Sequence, residues 1–367
     1  MVSLRPIPTA ILWSAPGRRW LLARHRFRTW PKRLGDTSGN LARTAGVSYR
    51  NYGFFYSFGV SVNKGTTIIL PDNYPASRGI QPAGHDLTGV SDFDFRRYDN
   101  DYPDSDAPSI YGSLYSRTTY GKYNMPSRFS EWNREFKEML AKDPSGNAVP
   151  ALMTVRFNHD HTQGLTPGKF TPRAEVADND YAVGQLVEAV SNSPIWNSTA
   201  IFIIEDDAQD GPDHVDAHRS TCYVISPLIK ANTVDHAFYN TDSVLKTIEM
   251  LLGLKPMSQY DAIANPILDF DRSPTNVGPF KAILPAQNII SDKMPTLAKL
   301  KLKDPRRELA LLCSKMDFIH PDSAPPRAVN EILWKSVKGA AAKSPAPRHS
   351  LGKAVAGKPA DKHQDDI

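Results

Sequence analysis

The chain has 367 residues, 40% of them hydrophobic and 23% charged, which is ordinary for a globular protein with a sizeable buried core. Its formal net charge of +5 is unevenly spread: residues 1–50 carry +9 and residues 335–367 carry +4, which leaves −8 for residues 51–334. An acidic centre with basic ends argues against a nucleic-acid-binding protein. No apolar run approaches the roughly 18 residues that cross a bilayer, so no transmembrane span is expected.

The two ends of the chain differ in composition from its centre. Residues 1–44 are rich in arginine and nearly free of acids, and we predict a basic, poorly ordered segment outside the core. Residues 8–16 are too short and too weakly flanked for a secretory signal, so the sequence assigns no localisation. Residues 340–367 consist mainly of small residues, lysine and proline, which predicts a disordered tail. The folded core is therefore expected over residues 45–339.

Within this core, the regular elements become recognisable from residue 126 onward. The preceding stretch, 45–125, is rich in Gly, Tyr, Asn, Asp and Pro and predicts long surface loops. Thr171-Pro172 predicts a helix start, and Gly253 a helix end. Apolar periodicity predicts helices over 127–141, from 172 onward, over 240–252, near 305–316 and near 327–337, and continuous apolar runs predict strands over 150–157, 199–204 and 221–226.

The alternation of strands and helices predicts an α/β fold built on a layered sheet. In such sheets the ligand site lies beyond the carboxyl ends of the strands. Two polar loops follow predicted strands: residues 158–164 (NHDHTQG), here called the histidine loop, and residues 206–220 (DDAQDGPDHVDAHRS), here called the acidic loop. We expect both loops to lie at the same edge of the sheet.

The acidic loop allows more than one interpretation. It could be a solvated loop or a hydrogen-bonded network, but only Glu205 separates Asp206 from an apolar strand, and desolvated carboxylates need compensation. An EF-hand is excluded, because Ala208 and Ala217 occupy the third and twelfth positions, where calcium ligands belong. Carboxylates mixed with imidazoles suit zinc, manganese, iron or calcium. The sequence therefore favours a site for a divalent metal ion.

The sequence of the two loops and their surroundings carries a family resemblance. EDDAQDGPDHVDAHRS at 205–220, RFNHDHTQG at 156–164, VISPLIK at 224–230 and FYNTDSVLKTIEMLLGL at 238–254 resemble bacterial phosphoesterases of the alkaline phosphatase superfamily. The branch is the one with acid phosphatase A and the phosphocholine-preferring phospholipases C. The resemblance covers about 45–339 and implies an alkaline-phosphatase-like mixed β-sheet sandwiched between helices.

The resemblance also implies roles for individual residues. Asp206 and Asp207 match the paired acids that bind metal in the D-[DE]…DHV pattern, and His214 matches its imidazole. His161 in the histidine loop is a further candidate for a metal or phosphate contact. Asp160 and His218 are secondary candidates.

One part of the family pattern is missing. Relatives carry an early acid–amide metal motif of the type ENRTYD and a later Ser/Thr nucleophile, and neither occurs before residue 45. The nearest hydroxyl, Ser38, stands in a different context. We therefore expect an incomplete amino-terminal side, with no nucleophile identified and with impaired hydrolysis.

Several functional expectations follow. The resemblance implies a metal-dependent phosphoesterase whose substrate is a small phosphate ester or a phospholipid head group, and whose relatives are usually exported. The alternatives are an inactive truncated homologue and a protein that binds acidic surfaces through its basic ends. Cys222 and Cys313 fit no metal-site spacing, and whether they pair is left open.

Overall fold

The computed structural model of the protein describes residues 9–15, 18–20, 41–42, 44–53, 60–63, 66–68, 90–92, 94–95, 100–107, 125–205, 221–270, 278–318 and 324–344. The described strands are β1 (Thr9–Ala15), β2 (Arg18–Trp20), β3 (Tyr49–Tyr52), β4 (Val60–Asn63), β5 (Thr66–Ile68), β6 (Leu152–Val155), β7 (Thr199–Ile204) and β8 (Cys222–Ile225). The described helices are α1 (Arg128–Lys142), α2 (Pro172–Ser191), α3 (Thr241–Leu252), α4 (Gln259–Ile263), α5 (Gln287–Ile290), α6 (Arg307–Cys313) and α7 (Pro326–Lys338), with a 3₁₀ turn at Trp196–Ser198.

Six of these strands form a mixed sheet in the order β3-β6-β1-β2-β7-β8. β3 runs parallel to β6, whereas β1 runs antiparallel to both β6 and β7, and β8 runs antiparallel to β7. β4 and β5 form a separate two-stranded sheet. Helices and a mixed sheet agree with the predicted α/β class. The alkaline-phosphatase-like sandwich remains an expectation from the resemblance.

The place of β1 and β2 differs from the sequence expectation. Both strands come from the basic segment that was predicted to lie outside the core, yet β1 pairs with β7 from Thr9↔Ile204 to Ser14↔Thr199. The physical reason is the apolar run TAILWSA, which is long enough for one strand although arginines follow it closely. The division of the chain into three parts otherwise remains a prediction.

The predicted strands and helices of the core are confirmed. All six residues of β7 are buried, and β7 lies between β1 and β8 as an interior strand. Trp132 and Phe136 of α1 stack with ring centroids 4.9 Å apart, so the apolar face of this helix belongs to the main core. Thr171 caps α2 with Pro172 at its first position, and Gly253 ends α3 in the left-handed conformation at φ 68°.

Both cysteines are free: Cys222 is exposed, and Cys313 is buried, where its Sγ accepts the backbone N–H of Leu165 at 3.2 Å. The question that the sequence left open is thus answered in favour of unpaired thiols. Among the helices of the described residues, none combines the length and the apolar character that a bilayer span requires.

Candidate functional site

The carboxyl ends of β3, β6 and β7 lie at one edge of the sheet, here called the carboxyl edge. Thr154 of β6 and Phe202 of β7 both lie opposite Ile11 of β1. Two residues further on, Arg156 and Ile204 are therefore at the same level of the sheet. One strand lies between β6 and β7, and neighbouring strands are about 4.8 Å apart. The chain segments that follow β6 and β7 therefore leave the sheet about 10 Å from each other.

The acidic loop begins and ends at this carboxyl edge. The backbone N–H of Glu205 donates to the carbonyl of Thr221 at 3.4 Å, and the N–H of Thr221 donates to the Glu205 side chain at 3.4 Å. Glu205 is buried, so its own carboxylate lies in a desolvated position where β7 ends. Asp206, Asp207, His214 and His218 lie in 206–220, outside the described residues, and their metal-binding role remains a prediction.

The histidine loop leaves β6 at the same edge. The N–H of Arg156 still donates to the carbonyl of Tyr52 at 3.0 Å, which extends the β3–β6 pairing by one residue. The chain then turns, because the N–H of His161 donates to the carbonyl of Asn158 at 3.2 Å. This turn returns His161 to Arg156, with Nη2 of the arginine 3.4 Å from Nε2 of the imidazole. His161 and Asp160 are both partly exposed.

A buried polar network holds the histidine loop in place from below. One oxygen of Asp104 accepts the backbone N–H groups of Asn158 at 2.9 Å and His159 at 2.8 Å. Asn100 and Gln163 fix the far end of the loop: the Asn100 amide donates to the Thr162 carbonyl at 3.2 Å, and the Gln163 amide donates to the Asn100 carbonyl at 2.8 Å. The loop geometry is thus set by contacts from residues 100–105.

The centre of this network consists of four fully buried charged side chains. Arg128 of α1 pairs with Asp104 at 2.8 Å, and Nδ1 of His159 lies 2.7 Å from a carboxylate oxygen of Asp178 on α2. Asp178 in turn accepts the backbone N–H of Asp104 at 2.8 Å. Burial alone would lower the pKa of His159, but Asp104 and Asp178 outweigh it and raise this pKa to about 9.

Donor atoms of Asp104, His159 and Asp178 lie within 4.8 Å of one another, which is close enough to hold a metal ion. The arrangement does not fit a metal well, however, because Arg128 and protonated His159 already balance the two carboxylates. The carboxylate oxygens also accept several N–H groups of the loop and of residues 104–105. We therefore interpret this cluster as the scaffold of the histidine loop.

A second group, Asp92, Asp94 and Glu131, also brings donor atoms within 4.8 Å of one another. Asp92 lies beside β3 near the carboxyl edge, since its N–H donates to the Asn51 carbonyl at 2.9 Å. Burial and the charges of Glu135 and Glu131 raise the pKa of Asp92 to about 8. A proton on Asp92 thus relieves the repulsion of these carboxylates without a metal ion.

Sequence reasoning missed the partners that hold the histidine loop. Asp104 lies in a stretch that was predicted as surface loops, yet it is fully buried, and Arg128 and Asp178 lie on the predicted helices. The one available signal was His159, which is part of the motif NHDHTQG. Arg156 lies two residues before the start of the motif and gave no signal of its own.

Together, the fold and the edge define an α/β protein in which an acidic loop and an imidazole-bearing loop follow two parallel strands of one sheet. This arrangement is suited to binding an anionic ligand or a metal. The sequence model of the Phosphoesterase family matches residues 44–255. The chain belongs to this phosphoesterase family, which indicates a hydrolase of phosphate esters. No curated protein matches the chain.

Proposed function

We propose that this protein is a metal-dependent phosphoesterase whose reaction takes place at the carboxyl edge. The observation that supports it most directly is that the two loops start at the same level of the sheet. The chain enters the acidic loop from Glu205 and leaves β6 for the histidine loop at Arg156, and both points lie at one edge about 10 Å apart. Side chains of both loops would therefore reach a phosphate ester and its metal ion between them.

The proposed metal ligands are Asp206, Asp207 and His214. A divalent ion bound there would neutralise phosphate oxygens and lower the pKa of a bound water. The residues of the histidine loop would contact the phosphate from the other side. A small phosphate ester or a phospholipid head group is the proposed substrate.

The extent of hydrolysis depends on a nucleophile. β1, the strand between β6 and β7, has the sequence TAILWSA and supplies no carboxylate or amide to the edge. Since relatives carry an acid–amide metal pair on an early strand, this composition favours a second candidate function, a family member that binds metal and phosphate but hydrolyses esters slowly. Without a positioned nucleophile, the protein would lack an effect worth roughly 7–11 kcal/mol of the barrier.

Calorimetric titration of the full chain with Mn²⁺, Zn²⁺ and Ca²⁺ tests the metal site. We expect binding of at least one ion, and a loss of affinity by orders of magnitude in Asp206→Ala, because one of two paired carboxylates is removed. Asp143→Ala is the control, since Asp143 caps the end of α1 on the side where β6 begins, away from the carboxyl edge. A wild-type protein that binds none of these ions would refute the metal site.

Assays with p-nitrophenyl phosphate and p-nitrophenyl phosphorylcholine, with each ion added, distinguish the two candidate functions. Turnover of roughly 1–1000 per second would show an ordinary enzyme with a hydroxyl nucleophile that the sequence does not reveal. Slow, metal-dependent turnover would support the impaired phosphoesterase. Turnover that is unaffected by chelation and by Asp206→Ala would contradict both.

A further inference from the structure

A turn in the carboxyl-terminal part of the core presents an apolar side chain to solvent between lysines. It consists of residues 299–303 (KLKLK), here called the lysine turn. Leu302 is 86% exposed, the highest value among the large hydrophobic residues that the structure describes. Lys301 and Lys303 flank it directly, and Lys299 is exposed as well. Within the described part of the chain, none of these three lysines pairs with a carboxylate.

The lysine turn is attached firmly to the core. Leu300 is 4% exposed and belongs to the same buried apolar cluster as Leu165. Nη1 of Arg307 donates to the carbonyls of Leu297 and Leu300 at 2.8 and 2.9 Å, which ties the turn to the start of the next helix. Because one leucine of the turn is anchored in this way, the exposed position of Leu302 is set by the fold.

The charge around the lysine turn is opposite to that of the surrounding chain. Residues 293–315 carry seven Lys and Arg against two acids, which gives +5, although residues 51–334 as a whole carry −8. Of the two acids, Asp304 is already paired with Arg306 at 2.9 Å. The turn is therefore the centre of a local basic surface, which attracts an anionic partner although most of the core is acidic.

An apolar tip between unpaired lysines matches the surface of an anionic lipid membrane. A leucine enters the boundary between head groups and acyl chains, while lysine side chains extend along it to the lipid phosphates. A nucleic acid would also attract the lysines, but its phosphates give an aliphatic tip nothing to bury against. A protruding tip also lacks the concave shape that seats a small ligand. The observations thus favour a lipid surface.

We propose that the lysine turn is a membrane-docking site, in which Leu302 inserts into an anionic phospholipid surface and the three lysines contact its phosphates. The attachment is peripheral and sensitive to salt, because one leucine and a few surface lysines supply all of it. This inference goes beyond the proposed phosphoesterase reaction and does not rest on it. The turn lies outside the acidic and histidine loops, and its binding is measured without turnover.

Co-sedimentation of the full chain with vesicles at about 0.1 M salt tests the docking site. Wild type should bind vesicles of phosphatidylcholine mixed with phosphatidylglycerol and should bind pure phosphatidylcholine vesicles much more weakly. The double variant Lys301→Gln/Lys303→Gln should bind the mixed vesicles roughly 10- to 30-fold more weakly, since each lysine at an anionic surface contributes about fivefold. Leu302→Ser should lose about tenfold. Leu302→Trp should instead bind more tightly, because tryptophan favours the membrane interface.

Matched variants control for the loss of charge and of exposed apolar surface. Lys137→Gln/Lys142→Gln removes the same charge from exposed positions of α1. Leu268→Ser removes a leucine that is 69% exposed but lies beside Asp269. Both controls should stay within about twofold of wild type, since a charge more than about 10 Å from the lipid surface is screened. The basic ends of the chain are present in every variant, so their own attraction to lipid does not alter the comparison.

Three results would overturn the inference. The first is a wild-type protein that does not prefer the mixed vesicles over phosphatidylcholine alone. The second is a double lysine variant of the turn that binds as well as the α1 control, which would assign any lipid binding to other parts of the chain. The third is a loss of binding in the lysine variant but not in Leu302→Ser, together with displacement of the vesicles by duplex DNA, which would indicate a nucleic acid as the partner.

Discussion

Substitution Asp104→Asn should destabilise the protein strongly, because it breaks the ion pair at the centre of the buried network. Asp104 is fully buried, pairs with Arg128 at 2.8 Å, and accepts the N–H groups of Asn158 and His159 at 2.9 and 2.8 Å. The asparagine amide fits the same space but replaces one oxygen by a donor. That donor must face either the guanidinium or the two backbone N–H groups, so one side of the network loses its acceptor.

The expected loss of unfolding free energy is about 3–5 kcal/mol, the range for removing one partner of a buried ion pair. With an m value of about 3 kcal/mol/M, the urea midpoint falls by about 1–1.7 M. Urea titration followed by tryptophan fluorescence measures this shift. Asp304→Asn removes the same kind of pair, Asp–Arg, at the surface, and its midpoint should match that of wild type. An Asp104→Asn midpoint equal to wild type would show that the network carries no net stability.

Three further predictions concern single side chains. Burial, together with the neighbouring carboxylate of Asp261, raises the pKa of Glu249 to about 9, so this group stabilises the fold fully below its unfolded pKa of about 4.5 and loses that contribution as the pH rises towards 9. Glu249→Gln should therefore flatten the fall of the urea midpoint between about pH 5 and 9. Parallel curves for variant and wild type would contradict this. Gly253→Ala should cost about 1–2 kcal/mol, because φ is 68° at the end of α3 although no atom lies within 4 Å of the added Cβ, and an unchanged melting temperature would be inconsistent with this strain. Gly184→Ala, within α2, should instead stabilise by about 0.5–1 kcal/mol, because alanine loses less backbone entropy than glycine in a helix and the new Cβ meets Ala282 at an ordinary 3.4 Å. A lower melting temperature would show that this contact is too close.

Local patterns carried most of the fold prediction for residues 126–338. The cap at Thr171, the proline after it and the glycine after α3 act within one turn of the chain, so the sequence contains their full cause. The apolar runs of β6 and β7 are equally local. The expectation that failed concerned β1 and β2. An apolar run between arginines does not reveal that β1 can pair with β6 and β7, which are more than 130 positions away in the sequence.

For the candidate site, the sequence alone identified the two loops, the family resemblance and the residue types that suit a metal ion. Only the tertiary structure showed that Asp104 holds the histidine loop and that Arg156 meets His161. Asp104 lies 55 residues before His159 and 74 before Asp178, and no periodic pattern connects positions at such separations. The strength of these contacts depends on burial and on the exact direction of each donor, and both arise only when the sheet and helices have packed.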